Sequence, residues 1–261
     1  MAIVSAGRWN LGAGLEGRGV IVTGAASGIG RATALAMAAA GAKVAAVDRD
    51  ETGVRATVAE LEQGAGHVAI VFDLADIASI PDLVAEADRA FDGLWALAHV
   101  AAVLRRQPLD EVTEADWDLQ IDVNLKASFF LNRAAGRAMI ARGRGGRIIN
   151  FTSGAWLVGP VSGSDAYVAS KGGLVSMTRG FARSYGPHGI LVNAVSPGQI
   201  DTPMQHVDNP PEIVAAGMAA CPLRRMGRPE ELAAVVVFLA SEHASFINGA
   251  TINVSGGLIM Y

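Results

Sequence analysis

The stretch Gly19-Val20-Ile21-Val22-Thr23-Gly24-Ala25-Ala26-Ser27-Gly28-Ile29-Gly30 changes character twice. An apolar β-branched run, Val20 to Val22, leads straight into Gly24, and Gly28 and Gly30 then open an Ala-rich helical segment. A strand that turns sharply into a helix aims the first amides of that helix, at the positive end of its dipole, beyond the strand tip. Gly24, Ser27, Gly28, Ile29 and Gly30 therefore form a candidate cradle for a pyrophosphate, although the Gly24-to-Gly28 spacing is wider than in the common GxGxxG fingerprint. A tight strand-to-helix turn without a ligand would use the same residues.

The rhythm continues downstream. Runs at Gly19 to Thr23, Lys43 to Asp48, Val68 to Phe72, Leu94 to Ala98, Arg147 to Phe151, Leu191 to Val195 and Thr251 to Val254 read as strands. Helical patterns at Gly28 to Ala40, Pro81 to Phe91, Asp116 to Arg142, Tyr167 to Tyr185 and Pro229 to Ala240 separate them. Alternation of this kind predicts an α/β fold, a doubly wound seven-stranded parallel sheet with helices on both faces. We expect a single domain over 15–261 with an N-terminal extension over 1–14. Between Pro197 and Arg228, four prolines (Pro203, Pro210, Pro211 and Pro222) surround a short helical piece at Glu212 to Ala220, which predicts a substrate lid at about 198–228.

Composition excludes several classes of function. Half the residues are apolar, 18% are charged and the net charge is -4, so the chain can cover a large core and lacks the basic surface that nucleic acid requires. Arg105-Arg106 and Arg224-Arg225 read as solvated loop charges. The single cysteine, Cys221, admits no internal disulfide and fits a reducing compartment. No apolar segment has the length of a signal peptide or a membrane span, so the expected location is cytoplasmic. The five histidines are scattered, and no metal site is expected.

Two further features give the cradle a chemistry. Asp48 ends the second strand 18 residues after Gly30, near the spacing at which an acid accepts hydrogen bonds from an adenosine ribose. Its charge would repel a 2′-phosphate, so the expected cofactor is NAD, with neighbouring Arg49 able to contact a phosphate instead. Tyr167 and Lys171 lie four residues apart on one helical face. An ammonium there is expected to stabilise the phenolate and pull the tyrosine pKa down from about 10, towards the range of a proton-transfer catalyst.

Taken together, the turn from Thr23 to Gly30, Asp73-Leu74, Asn124, Ser153, Tyr167 with Lys171, Pro197-Gly198 and Gly256-Gly257 resemble, in order, the motifs of the short-chain dehydrogenase/reductase family, from Leu15 to Gly257. The resemblance implies a Rossmann-like sheet in strand order 3-2-1-4-5-6-7 and a catalytic set of Asn124, Ser153, Tyr167 and Lys171. Tyr167 would be general acid in reduction and base in oxidation. Lys171 would lower its pKa and bind the nicotinamide ribose, Ser153 would hold the substrate oxygen, and Asn124 would anchor a water leading to the lysine. Asp73 and Leu74 would meet the adenine, Val100 and Ala101 would offer backbone contacts, and Pro197, Gly198, Ile200 and Thr202 would lie by the nicotinamide.

The chain departs from the family pattern at His99-Val100-Ala101-Ala102, where Asn-Asn-Ala-Gly is usual, and loses there an expected side-chain bond inside the sheet. His99 reads as a structural hydrogen-bonder rather than a catalyst. Ser255 stands where the family has Asp before the closing glycines, and Ser153 and Tyr167 are 14 residues apart, one more than the common family value. Expected substrate contacts are Ser153, Ala155, Trp156, Val158, Gly159, Val161, Met204 and His206.

The activity expected is NAD-dependent interconversion of a secondary alcohol and its ketone. A 3-oxoacyl thioester reductase using NADPH and a catalytically silent nucleotide sensor are the alternatives. Relatives commonly assemble as tetramers, and the apolar ending Gly257 to Tyr261 fits such an interface.

Overall fold

The computed structural model describes residues 10–61, 65–159 and 163–261. Strands β1 (Gly19–Thr23), β2 (Lys43–Asp48), β3 (Val68–Val71), β4 (Leu94–His99), β5 (Gly146–Phe151), β6 (Ile190–Pro197) and β7 (Thr251–Val254) pair in parallel, in order 3-2-1-4-5-6-7. The strands are largely apolar on both faces because alternate side chains enter different cores. Val20 and Val22 meet Ala34 and Met37 of α1 (Gly28–Ala39) and Leu232 and Val236 of α10 (Pro229–Ala240). Ile21, Leu97 and Ile148 point the other way, onto Leu83 and Val84 of α3 (Ile80–Ala90) and Leu131 and Met139 of α5 (Ala127–Arg142).

The strand order reverses between β1 and β4, so a crevice opens at the C-terminal ends of these neighbours. The remaining helices are α2 (Glu51–Glu60), α4 (Glu114–Ile121), α6 (Ala155–Val158), α7 (Asp165–Tyr185), α8 (Pro203–His206) and α9 (Pro211–Ala220). α2 leaves no helical signal in the sequence, because only Val54 and Thr57 are buried on it and it has no apolar stripe. The segment expected to act as a lid, at about 198–228, carries α8 and α9.

Two expectations change. The continuous helix over Asp116 to Arg142 is interrupted by a wider π-type turn at Asp122–Lys126. The expected extension over 1–14 has its last five residues packed on the domain: Leu11 joins the core, and Glu242 N–H donates to the Ala13 carbonyl at 3.0 Å. Residues 1–9 lie outside the described residues.

Candidate active site

A cavity of about 740 Å³ runs along the strand tips, from the end of β2 past β1 and β4 to β5 and on to α8 and α9. The glycine turn forms its floor. Gly24 has φ +70°, and a Cβ there would come within 2.9 Å of the Ala101 backbone; a Cβ on Gly30 would come within 2.0 Å of the Gly24 carbonyl. Only glycine permits this crossing of turn and helix. Ser27, the residue before α1, makes no side-chain cap, so the opening amides of that helix keep their donors for a ligand.

Asp48 ends β2 at the cavity wall, where Ala26 N–H donates to its Oδ2 and Asp50 N–H to its Oδ1, each at 3.0 Å. Two amides thus fix the carboxylate while each oxygen keeps a lone pair for another donor. Arg49, Asp73 and buried Leu74 line the same end.

At the other end, Ser153 follows β5 and Tyr167 and Lys171 project from α7. Lys171 Nζ donates to the Phe151 carbonyl at 2.7 Å and lies 5.4 Å from the centre of the Tyr167 ring. Burial pushes the lysine down to about 7. The tyrosine keeps part of its surface open to the cavity, but its hydroxyl sits deep enough for burial to push it up to about 12, against the lowering pull of a hydrogen bond to Ser153 and of the Arg106 charge. The downward shift expected from Lys171 is therefore not what this arrangement produces. Desolvation outweighs the neighbouring charges, and the lysine charge is itself weakened by burial.

Behind this wall lies a buried chain of hydrogen bonds. Thr23 Oγ1 and His99 Nδ1 are 2.8 Å apart, His99 Nε2 and Ser128 Oγ 2.7 Å, and Ser128 Oγ donates to the Asn124 carbonyl at 2.6 Å. The Ser128 proton is committed to Asn124, so Ser128 must accept from His99 Nε2–H, which makes Nδ1 the acceptor for the Thr23 hydroxyl. Thr23 Oγ1 in turn accepts the amides of Val100 and Ala101, each at 3.2 Å. Burial, followed by repulsion from Lys171, pushes His99 down to about 3, which holds it in the neutral form this proton order requires. The expected loss of a side-chain bond at this position is thus corrected: His99 bridges β1 and α5 with both ring nitrogens.

The wide turn at Asp122–Lys126 presses Asn124 inwards, where it is 1% exposed. Its Oδ1 accepts Val103 N–H at 2.8 Å, while its Nδ2 donates to the Val103 carbonyl at 2.8 Å and to Ser170 Oγ at 3.2 Å. Ser170 Oγ closes the chain on the Tyr167 carbonyl at 2.6 Å. Both Nδ2 protons are committed, so Asn124 can offer a water only acceptor lone pairs.

Residues 24–259 match the family described as enoyl-(acyl carrier protein) reductase. The chain is 40% identical over 249 residues to (3R)-3-hydroxyacyl-CoA dehydrogenase of Mus musculus, covering 92% of this chain and 95% of that one. The chain belongs to the short-chain dehydrogenase/reductase family. D-threitol dehydrogenase of Mycolicibacterium smegmatis is 38% identical over 245 residues, 93% of each chain. A short-chain dehydrogenase of Burkholderia cenocepacia, solved in complex with NADP, superposes with a TM-score of 0.87 at 34% identity, covering 94% of this chain and 98% of that one.

Within this dehydrogenase/reductase fold, the residues singled out in the sequence separate cleanly. Gly24, Ser27, Gly28, Ile29, Gly30, Asp48, Arg49, Asp73, Leu74, Val100, Ala101, Ser153, Ala155, Val158, Gly159, Tyr167, Lys171, Pro197, Gly198, Ile200, Thr202 and Met204 line the cavity. Asn124 stands behind it.

Two expected substrate residues are not in the wall. Trp156 turns from α6 to pack edge-on against Tyr261, with ring centres 5.6 Å apart, and His206 pairs with Asp201 at 2.8 Å on the exposed side of the lid. Val161 lies outside the described residues. Arg106, Gln199, Leu258 and Ile259, which belong to none of the sequence motifs, also line the cavity. Ser255 Oγ donates to the Ile259 carbonyl at 3.0 Å and folds the tail inwards, so part of the ending expected at an interface faces the site instead. Arg106 is likewise no solvated loop charge: its Nη1 donates to the Met204 and Val207 carbonyls at 3.2 and 2.6 Å.

Among the described residues no group of three or more His, Cys, Asp or Glu could hold a metal ion, and no helix is long and apolar enough to cross a membrane.

Proposed function

We propose that the protein is an NAD(H)-dependent oxidoreductase that interconverts a secondary alcohol and its ketone. The observation that carries this reading is the hydrogen-bonded pair of Ser153 and Tyr167 on the cavity wall, with Lys171 one helical turn on and the glycine cradle along the same crevice. The chemistry of the donors suits a nicotinamide dinucleotide: open helix amides and close-packed glycines for the pyrophosphate, and Asp48 for a ribose diol. When bound, that cofactor accepts or supplies hydride.

This chain's residues then handle the oxygen and its proton. Ser153 holds the substrate oxygen by its hydroxyl. Tyr167, a neutral phenol at ordinary pH, is set to give its proton to a ketone as the carbonyl is reduced, and its phenolate takes the proton from an alcohol in the reverse direction. Lys171 steadies the phenolate when charged and offers donors to the nicotinamide ribose, and Asn124 keeps the helix carrying both residues in register with the loop after β4.

Asp48 supports NAD over NADP, because a carboxylate fixed at the end of β2 would repel a 2′-phosphate on a ribose bound there. The second reading, a 3-oxoacyl thioester reductase using NADPH, draws support from Arg49 in the same wall and from the relative that binds NADP. Initial rates with NAD and NADP over a panel of secondary alcohols, polyols and hydroxy acids separate the two. NAD turnover that shifts towards NADP in Asp48→Ala is expected, and an NADP preference in the wild type contradicts the assignment.

A homotetramer in the cytoplasm completes the reading. The half-exposed Trp117 on α4 and Phe129 on α5, the latter 5.3 Å from Phe181 on α7, supply an apolar patch for subunit contact. Monomers alone by light scattering would contradict it.

A further inference from the structure

Five charged residues line the cavity among the described residues: Asp48, Arg49, Asp73, Arg106 and Lys171. The first three follow β2 and β3 at the adenosine end. Lys171 is engaged with the Phe151 carbonyl. Arg106 alone brings a charge to the walls around Tyr167 that nothing in the proton chemistry requires.

Its setting is unusual for a surface arginine. The side chain is half-buried, no acidic group among the described residues comes within ion-pair distance, and the only protein acceptors it has there are the lid carbonyls of Met204 and Val207, both taken by Nη1. Asp208 attracts it only at longer range. Nε and Nη2 therefore keep their donors along one planar edge, the geometry that takes both oxygens of a carboxylate. Arg106 lines the same cavity as Tyr167, and its charge acts on the phenol.

We propose that the substrate is a hydroxy acid or keto acid and that Arg106 receives its carboxylate. Resting on the alcohol–ketone reading above, this assigns the charged end of the substrate to the loop after β4. Because Arg106 also holds the lid by Nη1, a bound carboxylate and a closed lid would share one residue.

The test compares C4 to C6 hydroxy acids with their methyl esters, using kcat/KM in the wild type, Arg106→Met and Arg106→Lys. A charge-assisted bidentate bond predicts that the wild type favours the acids, that the acid-to-ester ratio falls about 10- to 100-fold in Arg106→Met, mostly through KM, and that Arg106→Lys recovers part of it. A ratio unchanged in Arg106→Met would overturn the proposal and leave Arg106 as a lid latch. In parallel, the thermal shift caused by each acid in the presence of reduced cofactor reports binding without turnover. A shift lost in Arg106→Met supports the carboxylate site even if no acid or ester is oxidised, in which case it is the reaction reading that fails. An acid shift that persists undiminished in Arg106→Met contradicts the site.

Discussion

The two walls of the cavity are built by different means. Behind the wall that carries Tyr167, each polar side chain from Thr23 through His99, Ser128, Asn124 and Ser170 donates a hydrogen bond to the next residue of the series, and Asn124 and Lys171 are 1% and 2% exposed. On the wall expected to meet the substrate, Val158 and Met204 are 61% and 36% exposed, and Arg106 is the side chain that bonds there to the backbone of Met204 and Val207. A hydrogen-bonded chain in low dielectric admits one arrangement, since any missing member leaves a buried group unpaired. An exposed apolar wall can be exchanged at little cost in stability. In the proposed mechanism the difference separates what must stay fixed, the proton donor, from what can vary, the substrate.

Substitutions on each wall test this separation. The largest effect is expected for Tyr167→Phe, which removes the transferred proton and should lower kcat about 10²- to 10⁴-fold in steady-state assays.

Next comes Lys171→Met, expected to abolish most turnover yet stabilise the fold by about 1–4 kcal/mol at pH 7 in urea unfolding, because a desolvated ammonium is replaced by an apolar chain of similar length. The lysine is lowered from 10.5 to about 7 in the folded protein, so between these values the unfolded chain binds the extra proton and wild-type stability rises with pH. The advantage of the variant should accordingly shrink from pH 7 towards pH 10.

His99→Phe leaves the Thr23 hydroxyl without its acceptor and Ser128 without its donor, an expected loss of about 1–3 kcal/mol. In the wild type, folded His99 stays neutral down to about pH 3 while its unfolded counterpart protonates near 6.5, so stability falls as pH drops through that window, by up to about 1.4 kcal/mol per pH unit from this group. The variant should lack this component. A pH dependence identical in the two proteins would remove His99 from the chain.

Met204→Ala should change stability by less than about 0.5 kcal/mol and register in KM alone. A stability loss comparable to that of His99→Phe would erase the distinction between the walls.

The fold was legible because burial on both faces writes itself as apolar runs, and the predicted strands differ from the observed ones only at their ends, as with His99 added to β4 and Ile190, Ser196 and Pro197 to β6. What the sequence conceals is direction. Nothing in the string tells that Trp156 turns towards Tyr261, that His206 faces Asp201, or that Arg106 folds under the lid, because each outcome is decided by a partner far along the chain or by the rotamer at a loop. The π-type turn was equally hidden, although Asn124, a poor helix former inside a long helix, was its one visible trace. Ser128 gives no signal at all until His99 is placed beside it.

The central claim, that Tyr167 moves the proton, is tested most directly by the pH dependence of kcat/KM for alcohol oxidation in the wild type and Tyr167→Phe, with NAD affinity measured in parallel. With the phenol held high by burial, the wild-type rate should climb with pH through the neutral and alkaline range, while Tyr167→Phe binds NAD but turns over at least about 10²-fold more slowly at every pH. Turnover in Tyr167→Phe within about threefold of the wild type, or a wild-type rate indifferent to pH, would contradict it.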